Sequence, residues 1–368
     1  MNPLKSVVVG IDGSSSSANA LAWSLDRLPA DGALHAVHAF NPRQGLVLAA
    51  IQQDSGPRRR TAEDLLRGPW TAAITEAGIE AQHHFVDDDA ADALVEIATD
   101  AEVEATMIVI GSHGEGGRRF HFVGGVIRKL LRKSPVPLIV VATPPEADAA
   151  GAVSNDSVAA AGSAVAGSAG SGGGAALDGN AGSAGGAALD GKVGSGVSAV
   201  DGGGAPDNTT GADVDEAGSR GEILVCVSYG QEANEAISWA ADYALATDRS
   251  LHLLHAVSDR PLYPIDSPVD MLGSYLGPGV DLEWAIEDLE DAAAGFRKIW
   301  PTLDITTTAR LGSTVSTIVD VADGVDLVVV GKAHSEGLSR FIISPRIHQL
   351  LTRISCSAAI VPSWPTPE

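Results

Sequence analysis

Short apolar runs alternate with amphipathic stretches along most of this chain. In the first part, "SVVVGI" (6–11), "ALHAVHA" (33–39), "QHHFV" (82–86), "TMIVIG" (106–111) and "PLIVVA" (137–142) stand out. They predict strands near 5–11, 33–39, 81–86, 106–111 and 137–142. Helical spacing between them predicts helices near 15–28, 60–77, 90–102 and 123–133. Consecutive apolar positions suit parallel strands covered on both faces. Strand and helix in alternation predict a parallel sheet with right-handed crossovers. Ligands of such sheets bind beyond the carboxyl ends of the strands, where the strand order reverses.

The same pattern returns later in the chain. "VVVGIDGS" (7–14) matches "LVCVSYG" (224–230), and Trp23 and Trp239 follow at equal spacing. "LHAVHAF" (34–40) matches "LHLLHAV" (251–257), and "MIVIGSHGEGG" (107–117) matches "LVVVGKAHSEG" (327–337). "IRKLLRKSPVPLIVV" (127–141) matches "IHQLLTRISCSAAIV" (347–361). A repeat of domain length means two copies of one fold, not a short solenoid. Residues 1–145 form one domain in this reading and 221–368 the other. The Ala, Gly, Ser and Asp of 146–220 cannot bury enough surface to offset their ordering entropy, so this stretch reads as a disordered linker. At about 75 residues its root-mean-square span is roughly 45–50 Å. That length lets the two domains pair within one chain or with a second chain. The strands "PLIVV" and "AAIV" supply open edges for such pairing.

Charge narrows the partners. The chain of 368 residues carries a formal net charge of −23. The three segments contribute −4, −8 and −11 in order. This balance argues against nonspecific binding to nucleic acid or an anionic membrane. No apolar run is long enough for a membrane span, and the N-terminus lacks a signal-peptide pattern. A cytoplasmic location is expected. Cys226 and Cys356, both in apolar stretches, exclude a disulfide framework and read as small core residues.

One segment asks for chemistry. "GSHGEGGRRFHFVGG" (111–125) follows a buried strand and spends six glycines in fifteen residues. Glycine costs backbone entropy, so such a cluster marks a sharp turn or a ligand that touches the backbone. Gly111 ends the fourth strand, Gly114 follows in the turn, and Gly124 and Gly125 open the next helix. Free N–H groups of this kind make a general anion site. Asp12 ends the first strand and would face this loop if the sheet reverses between strands one and four. A carboxylate there could accept hydrogen bonds from ribose hydroxyls. Neither G-x-x-x-x-G-K-[ST] nor a G-x-G-x-x-G after the first strand is present. On the residues alone, a phosphate site and a structural glycine turn are equally supported.

The spacing G-x-x-G-x₉-G, read as Gly111, Gly114 and Gly124, resembles the ATP-binding signature of the universal stress protein family. "VVVGIDGS" at the head and "PVPLIVV" at the end of the domain are similar to the same family. The resemblance covers nearly all of 1–145 and, more weakly, 221–365. It implies two copies of a parallel five-stranded α/β sandwich, Rossmann-like and of the adenine nucleotide alpha hydrolase kind. It implies ATP, ADP or AMP as ligand, with or without Mg2+, and a regulatory role in stress response. By this resemblance Asp12 contacts ribose or adenine, and Ala39 meets adenine through its backbone. Ile110 packs near the base, and Gly111, His113, Gly114, Gly124 and Val126 surround ribose and phosphates. The family usually has Ser or Thr where this chain has Gly125, and often a hydroxyl where it has Ile127. The grip on a γ-phosphate is therefore weakened. In the second copy Ser228, His334, Ser344 and Pro345 replace Asp12, Gly114, Gly124 and Gly125. Pro345 has no N–H to donate, so that copy reads as having lost the site. An interaction scaffold of the same fold, without nucleotide, is the alternative.

Other features read more plainly. His35 and His38 point to opposite faces of one strand, and no thiolate pair or H-E-x-x-H accompanies the histidines. Asp87–Asp89 reads as a solvated strand end in preference to a cation site. "PRRRTAEDLL" (57–66) reads as a charged loop leading into a helix N-capped by Thr61. "SSSS" at 14–17 reads as a helix cap rather than a phosphorylation target. No lysine lies in the glycine turn, so no dedicated catalyst is expected, while slow ATP hydrolysis stays open.

Overall fold

The computed structural model describes residues 2–41, 56–112, 123–143, 221–227, 231–257, 278–332 and 344–363. The expected linker at 146–220 lies outside them. The first half runs β1 (Ser6–Gly10), α1 (Ser15–Arg27), β2 (Ala33–Ala39), α2 (Gly56–Leu66), a 3-10 turn (Pro69–Thr71), α3 (Ala72–Glu76), β3 (Ala81–Val86), α4 (Ala90–Thr99), β4 (Met107–Gly111), α5 (Gly125–Lys133) and β5 (Leu138–Val141). The second half repeats it as β6 (Glu222–Val227), α6 (Gln231–Thr247), β7 (Ser250–Val257), α7 (Pro278–Ile299), β8 (Ile305–Leu311), α8 (Thr314–Val321), β9 (Leu327–Lys332), α9 (Pro345–Leu351) and β10 (Ser357–Pro362).

The strands form one sheet in the order β3-β2-β1-β4-β5-β10-β9-β6-β7-β8. Within each half every pairing is parallel. The order reverses between β1 and β4, and again between β6 and β9. Alternation along each strand feeds two core layers. Val7, Val9, Met107 and Val109 pack with Leu21 and Trp23 on one face. Val8, Ile108 and Leu138 pack with Leu94 and Leu130 on the other. Burial on both faces explains why these strands read as continuous apolar runs.

The halves meet edge to edge. β5 and β10 pair antiparallel, with Val140, Ile139 and Leu138 opposite Ala358, Ala359 and Ile360. The Ala142 amide also donates to Ser357 Oγ at 3.3 Å. Each of these strands would be an open edge if its half stood alone.

Two sequence expectations need correction. The helix expected at 60–77 is broken: α2 ends at Leu66 and the chain restarts through the 3-10 turn at Pro69. Proline cannot donate to a continuing helix, and Gly68 adopts φ −134°, ψ −107°, away from helical values. Thr61 is not an N-cap, because α2 begins at Gly56, five positions earlier. Glu63 braces the helix between Arg59 (3.6 Å) and Arg67 (3.0 Å), both at i,i+4 spacing.

Candidate functional site

The reversal between β1 and β4 opens a crevice at the carboxyl ends of both strands. The chain leaves β1 through Ile11 and Asp12 and turns at Gly13, which adopts φ +80°. Only glycine enters that region without strain. A Cβ at Gly13 would also lie 2.4 Å from the Trp70 indole, so ring and backbone are in direct contact. Trp70 packs in turn against His38, ring centroids 5.0 Å apart and tilted by 53°, and His38 Nδ1 lies 2.7 Å from the Ile11 carbonyl. The turn after β1 is thus held from below by β2 and from one side by Trp70.

Asp12 does two things locally. Its Oδ1 accepts from the Ser14 amide at 3.0 Å and the Ser14 hydroxyl at 2.6 Å. Ser14 is the N-cap of α1 and accepts from the Ser17 amide at 3.1 Å. The serine run therefore caps a helix, as its composition predicts. Asp12 is half-buried at the mouth of the crevice.

Across the crevice stand β4 and the start of α5. Ile110 is buried and lies 3.1 Å from where a Cβ on Gly10 would be, so the missing side chain at Gly10 lets β1 and Ile110 pack closely. Gly111 sits against α1. A Cβ there would come within 2.3 Å of Ser16 Oγ and 2.5 Å of the Ser16 carbonyl oxygen. Its glycine is required by helix packing whatever the ligand. Gly124 and Gly125 differ: added side chains there would meet nothing within 4 Å among the described residues. Gly124 is the N-cap of α5 without a side-chain hydrogen bond, and the first turn carries no acidic residue. Gly125 and Val126 are exposed beside it. An N-terminus in this state presents backbone donors and the positive end of the helix dipole.

Ala39 ends β2, half-buried and paired with Val86. Asp12, Ala39, Ile110, Gly111, Gly124, Gly125 and Val126 therefore gather at one end of the first half's sheet. His113 and Gly114 lie outside the described residues. Sequence reasoning missed Trp70 and a hydroxyl cluster. Ser16 Oγ and Thr143 Oγ1 are 3.0 Å apart, and Ser112 Oγ lies 3.4 Å from Thr143 Oγ1. Both features join residues far apart in the chain, and no local pattern announces them.

Two residues of the acidic run after β3 form ion pairs. Asp87 pairs with Arg59 at 3.0 Å. Asp89 caps α4 through the Ala91 amide and pairs with Lys129 at 2.8 Å, which holds its carboxyl below the usual range. Asp87 and Asp88 are exposed, in keeping with a solvated strand end, while the half-buried Asp89 adds a helix cap and an ion pair that the expectation did not include. Among the described residues no cluster of three metal-ligating side chains occurs. None of their helices is long and apolar enough to cross a membrane.

In the second half Ser344 caps α9, and Pro345 occupies its first turn. One backbone donor present in the first half is absent there. Ser228 and His334 lie outside the described residues. Cys226 and Cys356 are free thiols, and burial raises both, Cys356 to about 11.

Comparison with known proteins agrees with this architecture. The sequence model of the universal stress protein family matches residues 3–142 and again 220–362. The universal stress protein Rv2005c of Mycobacterium tuberculosis (strain H37Rv) is 32% identical over 140 residues, spanning 36% of this chain and 44% of that protein. The alignment thus covers less than half the length of that relative. A universal stress protein from Archaeoglobus fulgidus shares the fold at 13% identity, covering 98% of both chains with a TM-score of 0.55. A functionally unknown protein, PA1789 from Pseudomonas aeruginosa PAO1, does so at 13% identity and a TM-score of 0.50, covering 98% of this chain and 92% of that one. With two matches that together span most of its length, the chain belongs to the universal stress protein family.

Proposed function

We propose that the first half binds an adenine nucleotide in the crevice between β1 and β4, and that occupancy regulates a cytoplasmic stress-response protein. One observation carries this reading: the strand reversal sets Asp12 on one lip and the side-chain-free start of α5 on the other. Asp12 Oδ1 is committed to Ser14, so the carboxylate is held in place at the lip to receive ribose hydroxyls. With no described residue within 4 Å of a side chain added at Gly124 or Gly125, phosphate oxygens can reach backbone N–H groups there. With Gly125 lacking a hydroxyl, ADP and AMP bind as well as ATP, with or without Mg2+. The second half, with Pro345 at the matching helix start, serves as a structural partner.

The close fit of Gly111 against Ser16 favours a second reading. Part of the glycine pattern is accounted for by packing, as in an interaction scaffold that binds no nucleotide. Denaturing the purified protein and measuring released nucleotide by absorbance and chromatography separates the two. Stoichiometric adenine nucleotide, or saturable calorimetric binding to stripped protein, supports the first reading. Neither with millimolar ATP, ADP or AMP leaves the scaffold.

A further inference from the structure

The seam between the halves is not symmetric. α1 and α6 flank it on one face of the sheet, and Trp23 and Trp239 hold matching places on them. The counterpart of Arg27 on α1 is Tyr243 on α6. Tyr243 is fully buried and stacks on both indoles, 6.2 Å from Trp23 at 7° and 5.2 Å from Trp239 at 16°. Arg27 lies 4.6 Å over the Trp23 ring. Its guanidinium then reaches into the second half and donates from Nη2 to both oxygens of Asp326, at 3.2 and 3.3 Å. Asp326 also pairs with Arg249 of its own half. The Arg27 side chain is only 10% exposed and that of Asp326 24%.

The matching residue of Asp326 in the first half is Thr106. Both stand just before the fourth strand of their half and donate the same backbone bond, Thr106 to Ser6 and Asp326 to Glu222. The Thr106 hydroxyl is already turned to the carbonyls of Pro3 and Ser6 at 2.8 Å each. The ion pair therefore exists on one side of the local two-fold and has no equivalent on the other.

We propose that this one-sided contact makes the pairing face of the first half complementary to the second half and not to itself. Two first halves from different chains would set each Arg27 against Thr106, leaving a largely buried guanidinium with only the exposed carboxylate of Asp26 on its own helix, at 3.0 Å. Two second halves would set Tyr243 against Tyr243 and leave each Asp326 with Arg249 alone. Only the cross pairing gives Asp326 both guanidinium groups. The partner this face fits is the other half of the same chain, so the open edges of β5 and β10 close within one molecule.

The full-length chain tests this by sedimentation and amide hydrogen exchange. Wild type should sediment as a 37.5 kDa monomer with protected amides in β5 and β10. Arg27→Met should speed exchange of those two strands about tenfold or more, leave β2 and β3 unchanged, and let the protein self-associate as concentration rises. Asp326→Asn should do the same, and the double variant should be no worse than the worse single. Should Arg27→Met not fold, Asp326→Asn, which keeps the side-chain volume, carries the test. A wild-type dimer at micromolar concentration overturns the proposal. So does acceleration spread evenly over all strands, or single effects that simply add.

Discussion

Ile139 in β5 pairs with Ala359 in β10, the residue that holds Ile139's own place in the second half. On either side Leu138 meets Ile360 and Val140 meets Ala358, so the register is its own mirror about this pair. The local two-fold relating the halves therefore passes through residues 139 and 359. Both are 0% exposed. The small side chain at 359 leaves room for the large one at 139, a difference that one chain can carry and two identical copies cannot.

Truncating Ile139 to alanine should leave a cavity on this axis. Buried Ile→Ala changes cost about 2–5 kcal/mol. The loss should appear in both halves together, because the seam belongs to both. Urea unfolding followed by tryptophan fluorescence, with Trp23 and Trp239 beside the seam as reporters, measures it.

Gly111 and Gly125 should behave in opposite ways. Gly111→Ala forces a Cβ to within 2.3 Å of Ser16 Oγ and 2.5 Å of its carbonyl oxygen, so backbone must move. Overpacking of this kind costs about 1–3 kcal/mol. Gly125→Ala meets nothing within 4 Å among the described residues and lies in the first turn of α5. It should be neutral or stabilise by up to about 1 kcal/mol. Denaturation midpoints without ligand decide the matter, and equal losses at both sites would contradict this account.

The contrast shows how much was legible beforehand. All five strands of the first half lie within a residue or two of their apolar runs, because burial on both faces leaves an unmistakable pattern. The serine cap of α1 was legible from residue type. The break of the second helix at Gly68–Pro69 was hidden by a helical period that continues through it. Partners of Asp87 and Asp89 lie on α2 and α5, so no local reading reaches them. The packing of Gly111 on Ser16 was not legible, since that contact joins elements far apart in sequence. Of the candidate site, the lip at Asp12 and the start of α5 were legible, while the indole at Trp70 was not.

Acid should weaken the first half through its histidines. His35 Nδ1 lies 3.1 Å from His84 Nε2, between β2 and β3. Burial pushes both imidazoles below their ordinary value, and His83 is lowered for the same reason. His84's charge lowers His35 further, while Asp100 opposes the shift at both. A histidine depressed in the folded state binds protons more readily when unfolded. Its contribution is complete above the unfolded value, about 6.5, and is lost as pH falls from there toward the folded value. Urea midpoints should therefore drop between pH 7 and pH 5.5. His84→Gln, which keeps a neutral partner for His35, should flatten that drop. A slope unchanged by the substitution would place the acid sensitivity elsewhere.

The nucleotide reading gains a control from the structure. Asp12→Ala removes the acceptor of both Ser14 bonds, so it should cost about 1 kcal/mol of stability with no ligand present. A thermal shift alone would mix this loss with any loss of binding, so affinity has to be read by calorimetry on folded protein. Losing a charge-assisted bond to ribose is worth about 1.5–3 kcal/mol, roughly 10- to 150-fold in dissociation constant. Asp12→Asn keeps an oxygen for Ser14 and should restore most of the stability but little of the affinity. Gly125→Ser adds a hydroxyl at the open start of α5 and should favour ATP over AMP, with almost no change in the stability of stripped protein. If Asp12→Ala and Asp12→Asn bind ATP, ADP and AMP as tightly as wild type, the carboxylate serves only to brace α1. The crevice then loses its claim to the ribose.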